Sequence, residues 1–221
     1  MTGSVSARPS RSGRLEVEVR VAGHVSVAGT KRLTTRLRPS EPYMILETEY
    51  EDTGIRASAD YVLGLPARKS LGLTLEMLNG DFRVESLPCG LDVSIHNGSL
   101  SAEEFTGQLH ARVINGSVDV GGSPTVSFVR AGGSVDLDIG AIATGGASVT
   151  SLGGSIQVRL AEGLGLQLAA RSETGGVGIS GLTPENVGTE YGGFRCDIEG
   201  GGHRLALNAV NGGIRLLPSG G

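Results

Sequence analysis

The dipeptide Asn-Gly returns at a fixed interval in the middle of this chain, and that interval limits the possible folds more than any other feature. It occurs at Asn79, Asn97 and Asn115, which are separated by two steps of 18 residues. Equivalent glycine-containing points follow at steps of 17 to 21 residues, and a last Asn-Gly stands at Asn211. Asn and Gly both tolerate positive φ, so each pair indicates a tight turn. A turn that recurs at a fixed period indicates a recurring structural unit.

Aliphatic residues alternate on both sides of each turn. Before Asn97 stand Leu91, Val93 and Ile95, and the residues after it alternate in the same way. This period of two indicates strands that bury one face. A single unit of this length buries too few aliphatic side chains to offset its own ordering entropy, so neighbouring units must stack. We therefore predict an all-β fold, a β-solenoid or β-helix of roughly 18–21-residue coils, in which the turn asparagines form a side-chain ladder. Independent hairpins in a sandwich or barrel are the alternative.

The predicted structural turns are eight residues: Asn79, Gly80, Asn97, Gly98, Asn115, Gly116, Asn211 and Gly212. The pattern has two faults. Arg130 falls where an inward residue is expected before Gly132, which predicts a slip of the register at that point. Residues 180–202 contain no clear turn signal, which predicts a distorted coil or an excursion from the stack.

Four segments are predicted along the chain. Residues 1–13 are expected to be a disordered basic arm and residues 14–65 an N-terminal β-strand lead-in that caps the stack. Residues 66–217 form the predicted solenoid, and residues 218–221 a flexible tail. The first 38 residues carry an excess of Lys and Arg, although the whole chain has a net charge of −4. No aromatic residue is interleaved with these arginines to stack on bases, so we do not expect nucleic acid binding.

The stretch YVLGLPARKSLGLTLEMLNGDFRVESLPCGLDVSIHNGSLSAEEFTGQLHARVINGSVDVGG resembles the bacterial putative-adhesin family, a domain-of-unknown-function family of β-strand-repeat proteins. Members of that family show strand, Asn-Gly-Asp/Ser, strand units after a segment like Leu65-Pro66. The resemblance covers roughly residues 60–216. It implies a β-solenoid-like fold and a link to cell surfaces or envelope stress. Family members often carry a membrane segment or a signal, and neither is evident here.

No catalytic constellation is evident in the sequence. The four histidines lack the H-x-E or H-x-x-x-H spacing of a metal site, and there is no nucleophile elbow or Walker motif. Cys89 and Cys196 match neither a metal-ligand spacing nor a redox motif. In the stacked alignment His110 lies one coil from Asp92, which predicts a surface ion pair between them. We expect no cofactor and no enzymatic activity.

Three acidic residues are aligned in adjacent coils of the predicted stack, Asp119, Asp136 and Asp138. Three carboxylates could hold a calcium ion, because hard cations prefer oxygen ligands. The surrounding sequence matches the calcium-binding nonapeptide pattern poorly, so we interpret the cluster as solvated acidic surface with no metal. Trp is absent and aromatic residues total 4%. This composition argues against a sugar-binding cleft and against a small-molecule substrate.

One column of residues stands directly before the turns: Leu78, Ile114, Leu152 and Val210, with His96 among them. Two interpretations remain open for it. The corners turn inward and bury these side chains, or the side chains form an apolar contact strip for a partner.

The sequence favours a non-enzymatic scaffold or interaction module that binds a protein partner or itself. Self-association is expected through the C-terminal coil, Leu205–Leu217, because it is a regular unit predicted to lie at an exposed edge. The alternatives are a surface adhesin and a degenerate carbohydrate-active β-helix enzyme. No apolar run is long enough for a secretory signal or a transmembrane segment, so we expect a cytoplasmic protein.

Overall fold

The computed structural model describes residues 4–10, 16–23, 33–40, 43–50, 57–65, 72–190 and 193–219. They form 22 β-strands, and none of these described residues lies in a helix, so none is in a helix able to cross a membrane. The strands are β1 (Ser4–Pro9), β2 (Glu16–Gly23), β3 (Leu33–Ser40), β4 (Tyr43–Tyr50), β5 (Ala57–Leu65), β6 (Gly72–Asn79), β7 (Asp81–Glu85), β8 (Gly90–Asn97), β9 (Leu100–Phe105), β10 (Gln108–Asn115), β11 (Val118–Gly122), β12 (Thr125–Ala131), β13 (Val135–Ile139), β14 (Ala141–Ile142), β15 (Ala147–Ser151), β16 (Ile156–Leu160), β17 (Leu166–Ser172), β18 (Val177–Ile179), β19 (Pro184–Glu190), β20 (Gly193–Ile198), β21 (His203–Ala209) and β22 (Ile214–Pro218). The all-β prediction is confirmed.

Two ten-stranded sheets contain most of the strands. Sheet I has the order β18-β22-β16-β13-β11-β9-β7-β1-β5-β2. Sheet II has the order β19-β20-β17-β21-β15-β12-β10-β8-β6, with β14 also paired to β12, and β3 and β4 form a separate antiparallel pair. From β6 to β16 the chain passes back and forth between the sheets, and each strand is parallel to its neighbours. Both sheets end in open edges, so they do not close on one another.

The core lies between the two sheets and is made of the alternating aliphatic residues. In sheet II, Val93 pairs with Leu75 on one side and with Ala111 on the other, so inward residues meet inward residues. Leu100 of β9 is buried from the facing sheet. Because successive side chains of a strand point to opposite faces, the residues between these positions point away from the core.

The predicted turn glycines lie where the chain crosses from sheet II to sheet I. Gly80, Gly98 and Gly116 have φ values of 134°, 137° and 154°, a region that favours glycine. A Cβ atom at Gly98 would overlap the backbone carbonyl oxygen of Gly80, and one at Gly116 would overlap that of Gly98. Successive turns therefore pack against each other so closely that a side chain has no room.

The prediction that the C-terminal coil forms an exposed edge is wrong. Strand β21 lies between β15 and β17, and β22 lies between β16 and β18. The stretch Leu205–Leu217 is therefore an inner layer, and the chain leaves a place for it when it passes from β16 to β17. The sequence pattern marked this unit as regular, but regularity does not reveal the spatial order of units. Self-association through this coil has no free strand edge to use.

The N-terminal arm was also predicted wrongly. Residues 4–9 form β1, which is parallel to both of its neighbours, β5 and β7. Val5 and Ala7 are buried in the core. Ordering a short segment is favourable here because it gains two ladders of backbone hydrogen bonds as well as apolar burial. Strands β2 and β5 continue the same sheet, and the capping role of residues 14–65 stays a prediction.

The register slip near Arg130 is present, but it lies earlier in the strand. Opposite Leu109 and His110, β12 places Val126 and Phe128, so Ser127 is an extra residue. Arg130 consequently points outward and is exposed. The next turn is one residue shorter than the turn before it, because both its flanking strands are in register with Val113 and Val118. The bulge and the shortened turn compensate for each other.

The last two predictions on the chain's course have different outcomes. Residues 184–198 leave the alternating path and form the hairpin β19–β20, which extends sheet II with antiparallel strands. This matches the excursion interpretation. The predicted flexible tail begins too early, because Pro218 pairs with Leu160 in β22. The amide of Ser219 also donates a hydrogen bond of 2.7 Å to the carbonyl oxygen of Leu160. Residues 220 and 221 lie outside the described residues.

Candidate interaction surfaces

The turn asparagines form a hydrogen-bonded row, which we call the asparagine ladder: Asn79, Asn97 and Asn115. The Nδ2 of Asn97 donates to Oδ1 of Asn79 at 2.8 Å, and the Nδ2 of Asn115 donates to Oδ1 of Asn97 at 2.8 Å. Each side chain thus serves as donor and acceptor in the same direction, which is possible because the residues are in register. Asn211 lies apart from the ladder, and its Nδ2 donates to the carbonyl oxygen of Leu152 at 3.0 Å.

The apolar residues beside the ladder point toward solvent. Leu78 is 69% exposed, and Ile114 and Leu152 are each 38% exposed. His96 is exposed and Val210 is half-buried. The interpretation that the corners bury these residues does not hold for the first three. We call the row formed by Leu78, His96, Ile114, Leu152 and Val210 the apolar strip.

The apolar strip has a gap in its middle. The shortened turn puts Gly132 where another large side chain would stand between Ile114 and Leu152. A Cβ atom at Gly132 would overlap the carbonyl oxygen of Ile114, so this position accepts only glycine. Ile114 and Leu152 therefore flank a notch whose floor is backbone. The two residues are two strand spacings apart, about 10 Å.

The acidic cluster on the outer face of sheet I contains an arginine that the sequence-based interpretation did not include. Arg159 Nη1 lies 2.6 Å from Oδ1 of Asp136 and 2.9 Å from Oδ1 of Asp138. Arg159 Nη2 donates to the second oxygen of Asp136 at 3.0 Å, and Gln157 Nε2 donates to the same oxygen at 3.1 Å. These contacts occupy the oxygens that a cation would need.

Asp119 is the third member of that cluster and makes none of these contacts with Arg159. Burial raises the pKa of its carboxyl group above the ordinary value, and the nearby charge of Asp136 raises it further. Asp136 and Asp138 raise the pKa of Arg159 by accepting its hydrogen bonds, so the guanidinium remains charged. Among the described residues there is no group of three or more His, Cys, Asp or Glu arranged to hold a metal ion.

The predicted ion pair between His110 and Asp92 does not form, although the two residues are in register. The imidazole of His110 stacks instead on the ring of Phe128, with 4.8 Å between ring centres and 22° between planes. The bulge at Ser127 brings Phe128 opposite His110. The sequence period alone would have placed another residue there, so the contact was missed.

Both cysteines are free and buried. Burial raises the pKa of the Cys89 thiol, and burial together with Asp197 raises that of Cys196. A raised thiol pKa reduces the reactive thiolate form at neutral pH. These side chains therefore serve as small apolar core residues. His24 lies outside the described residues.

A basic surface on sheet II was missed because no motif signals it. One outward position of five adjacent strands carries a row of hydrogen-bond donors, which we call the donor row: Arg112, Arg130, Thr150, Asn208 and Arg171. The bulge of β12 and the insertion of β21 both determine which residues share this row. The sequence order of the coils would have placed Arg171 beside Thr150 and Asn208 at the end.

No protein-family model matches the chain, and no curated protein matches it. A crystal structure of a "putative cell adhesion protein" from Clostridium sporogenes ATCC 15579 is similar to this chain with a TM-score of 0.36 and 10% sequence identity. The similarity covers 99% of this chain and 89% of that protein. A likeness this distant carries no argument about function. Membership in the adhesin-like family therefore stays a prediction that rests on residues 60–216.

Proposed function

We propose that this chain is a non-enzymatic β-solenoid interaction module that binds a protein partner along the apolar strip. The solenoid description is supported by the parallel register, in which each coil places its residues directly over those of the coil before it. The non-enzymatic description is supported by the sequence, which contains no nucleophile and base in a known catalytic spacing.

The observation that carries the proposal is the exposure of large aliphatic side chains in one row. Single exposed aliphatic residues are ordinary on protein surfaces, whereas a contiguous row is typical of a contact site. Ile114 and Leu152 flank the notch at Gly132, which has room for one side chain of a partner. The stacked strands beneath hold the row rigid, so little conformational entropy is lost on binding.

A photoreactive amino acid at Leu152 tests this proposal in the native cell. If the strip is a contact surface, irradiation yields one defined adduct with a protein partner. An adduct of twice the 22.6 kDa chain mass would instead identify a second copy as the partner. The matched control carries the same group at Glu162, an exposed turn residue away from the strip. Equal labelling from both positions, or none from Leu152, would contradict the proposal.

The Ile114→Ser and Leu152→Ser double variant provides the second arm. Both side chains are part-exposed at a corner, so we expect a melting temperature close to that of the parent together with loss of the cross-linked adduct. Labelling of intact cells with a membrane-impermeant reagent separates the cytoplasmic module from the surface adhesin.

A further inference from the structure

We propose that the outer face of sheet II binds a linear acidic polysaccharide along the donor row. This site lies on a different surface from the apolar strip and stands independently of the protein-binding proposal. It was selected because the donors there have no acceptors of their own.

The first observation is the charge of the face. The five adjacent strands β10, β12, β15, β21 and β17 contain no Asp or Glu. They carry four arginines, Arg112, Arg130, Arg171 and Arg204, all exposed. The surface is therefore a positive area on a chain whose net charge is −4. A concentrated positive area on an acidic protein attracts anionic ligands selectively.

The second observation is that these side chains have no partners. None of the five donor-row side chains makes a hydrogen bond or ion pair with another residue, within the part of the chain that the structure describes. Arg112 and Arg130 are moreover directly opposite each other. Like charges in that position destabilise a sheet. An anion lying across both guanidinium groups would remove this repulsion and accept their hydrogen bonds.

The third observation is the shape and chemistry of the row. Five in-register positions on adjacent strands span about 19 Å along a straight line, at about 4.8 Å per strand. Charged donors stand at Arg112, Arg130 and Arg171, and neutral donors at Thr150 and Asn208. A polyuronate chain presents carboxylates and hydroxyls along its length, so both kinds of donor find an acceptor.

Single-stranded nucleic acid is the competing polyanion, and the face fits it poorly. Sequence-tolerant binding of single strands depends on aromatic rings that stack successive bases. Phe128 is the one Phe, Tyr or Trp on these five strands, and its ring already stacks on His110. The neighbouring outward positions are Ser148, Ala206 and Ala169, which offer no ring.

Calorimetric titration of the full chain with sodium alginate oligosaccharides at about 0.15 M salt tests the inference, since exposed charges are well screened there. We expect saturable binding that the Arg112→Gln and Arg130→Gln double variant weakens by at least about tenfold. Circular dichroism should show both proteins folded, because the replaced side chains are exposed and have no partners. Arg171→Gln should weaken binding by a smaller factor.

The matched control is Arg215→Gln, which removes one positive charge from the outer face of sheet I. It should leave alginate affinity within about twofold of the parent, because a charge on the far side is screened. Equal weakening by Arg215→Gln would overturn the site and indicate non-specific attraction. Absence of alginate binding by the folded parent would also overturn it. Tighter binding of an oligothymidylate of equal charge would replace the polysaccharide with nucleic acid.

Discussion

The outer faces of the two sheets have the same geometry but opposite electrostatic arrangements. On sheet I the charged side chains neutralise one another, since Arg159 lies between Asp136 and Asp138 and Gln157 supports the same carboxylate. On sheet II the row from Arg112 to Arg171 contains donors only, and none of them has a partner among the described residues. Both rows arise because parallel strands put equivalent positions side by side.

This difference shows what a stacked parallel sheet makes possible. The inward positions must be apolar in every coil, but each outward row can be chosen independently of the fold. A row that alternates in charge stabilises the protein itself, whereas a row of one charge costs a little stability and remains free for a ligand. We therefore interpret sheet I as the self-neutralised face and sheet II as the recognition face.

The largest effect is expected where the two faces share a core. Val93→Asp would bury an unpaired carboxylate between the sheets and should lower the free energy of unfolding by more than about 4 kcal/mol. Ser94→Asp, one residue along, points outward and should change it by less than about 0.5 kcal/mol. Urea denaturation followed by circular dichroism measures both. Similar losses in the two variants would show that the register of β8 is wrong.

Replacing one arginine on each face compares the faces directly. Arg159→Met leaves Asp136 and Asp138 without their partner and should destabilise the protein by about 1 kcal/mol at neutral pH. Arg130→Met removes a like-charge contact with Arg112, so stability should be unchanged or slightly higher. Thermal denaturation at low salt shows the contrast best, because salt screens both effects. The same sign of change in both variants would contradict the comparison.

A smaller effect is expected from Asp119 and depends on pH. Burial and Asp136 raise the pKa of its carboxyl group, so the folded chain binds this proton more tightly than the unfolded chain does. Ionisation therefore costs stability above the folded-state pKa, and the cost is absent below the unfolded value of about 3.9. Asp119→Asn should be more stable than the parent at pH 7, by less than about 1 kcal/mol because the group is exposed.

Denaturant titrations at several pH values would follow that difference. It should shrink as the pH falls toward the unfolded pKa, and it should shrink with added salt because salt screens the repulsion from Asp136. A variant that is less stable than the parent at pH 7 would mean that the Asp119 carboxylate is favourably held in the folded state.

The sequence predicts what depends on local spacing. The period of 18 residues marks the strands and the glycine turns, because Gly98 and Gly116 occupy positions where the backbone of the previous turn leaves no room for a Cβ atom. The outward position of Asp119 and Asp136 follows from the same alternation. The corner after β7 and β9 was not predicted, since the residues with positive φ there are Ser86 and Glu104, at 48° and 51°, and not glycines.

What depends on spatial order could not be predicted from periodicity. A regular unit fits against any neighbouring coil, so the pattern does not show that Leu205–Leu217 lies inside the stack. The donor row depends on this insertion, because it puts Asn208 between Thr150 and Arg171. The strand formed by residues 4–9 was missed for the same reason, as its short apolar alternation gains stability only from two neighbouring strands.

Distances between spin labels test the central claim, the order of strands along the sheet II face, most directly. Glu76, Asn208 and Arg171 are exposed members of one register column, so cysteine-attached labels there should not disturb the core. Dipolar spectroscopy should give about 24 Å between positions 76 and 208 and about 29 Å between positions 76 and 171, from five and six strand spacings of about 4.8 Å. The reverse ranking, with position 171 nearer to position 76 than position 208 is, would mean that the coils stack in sequence order and that the donor row does not exist as described.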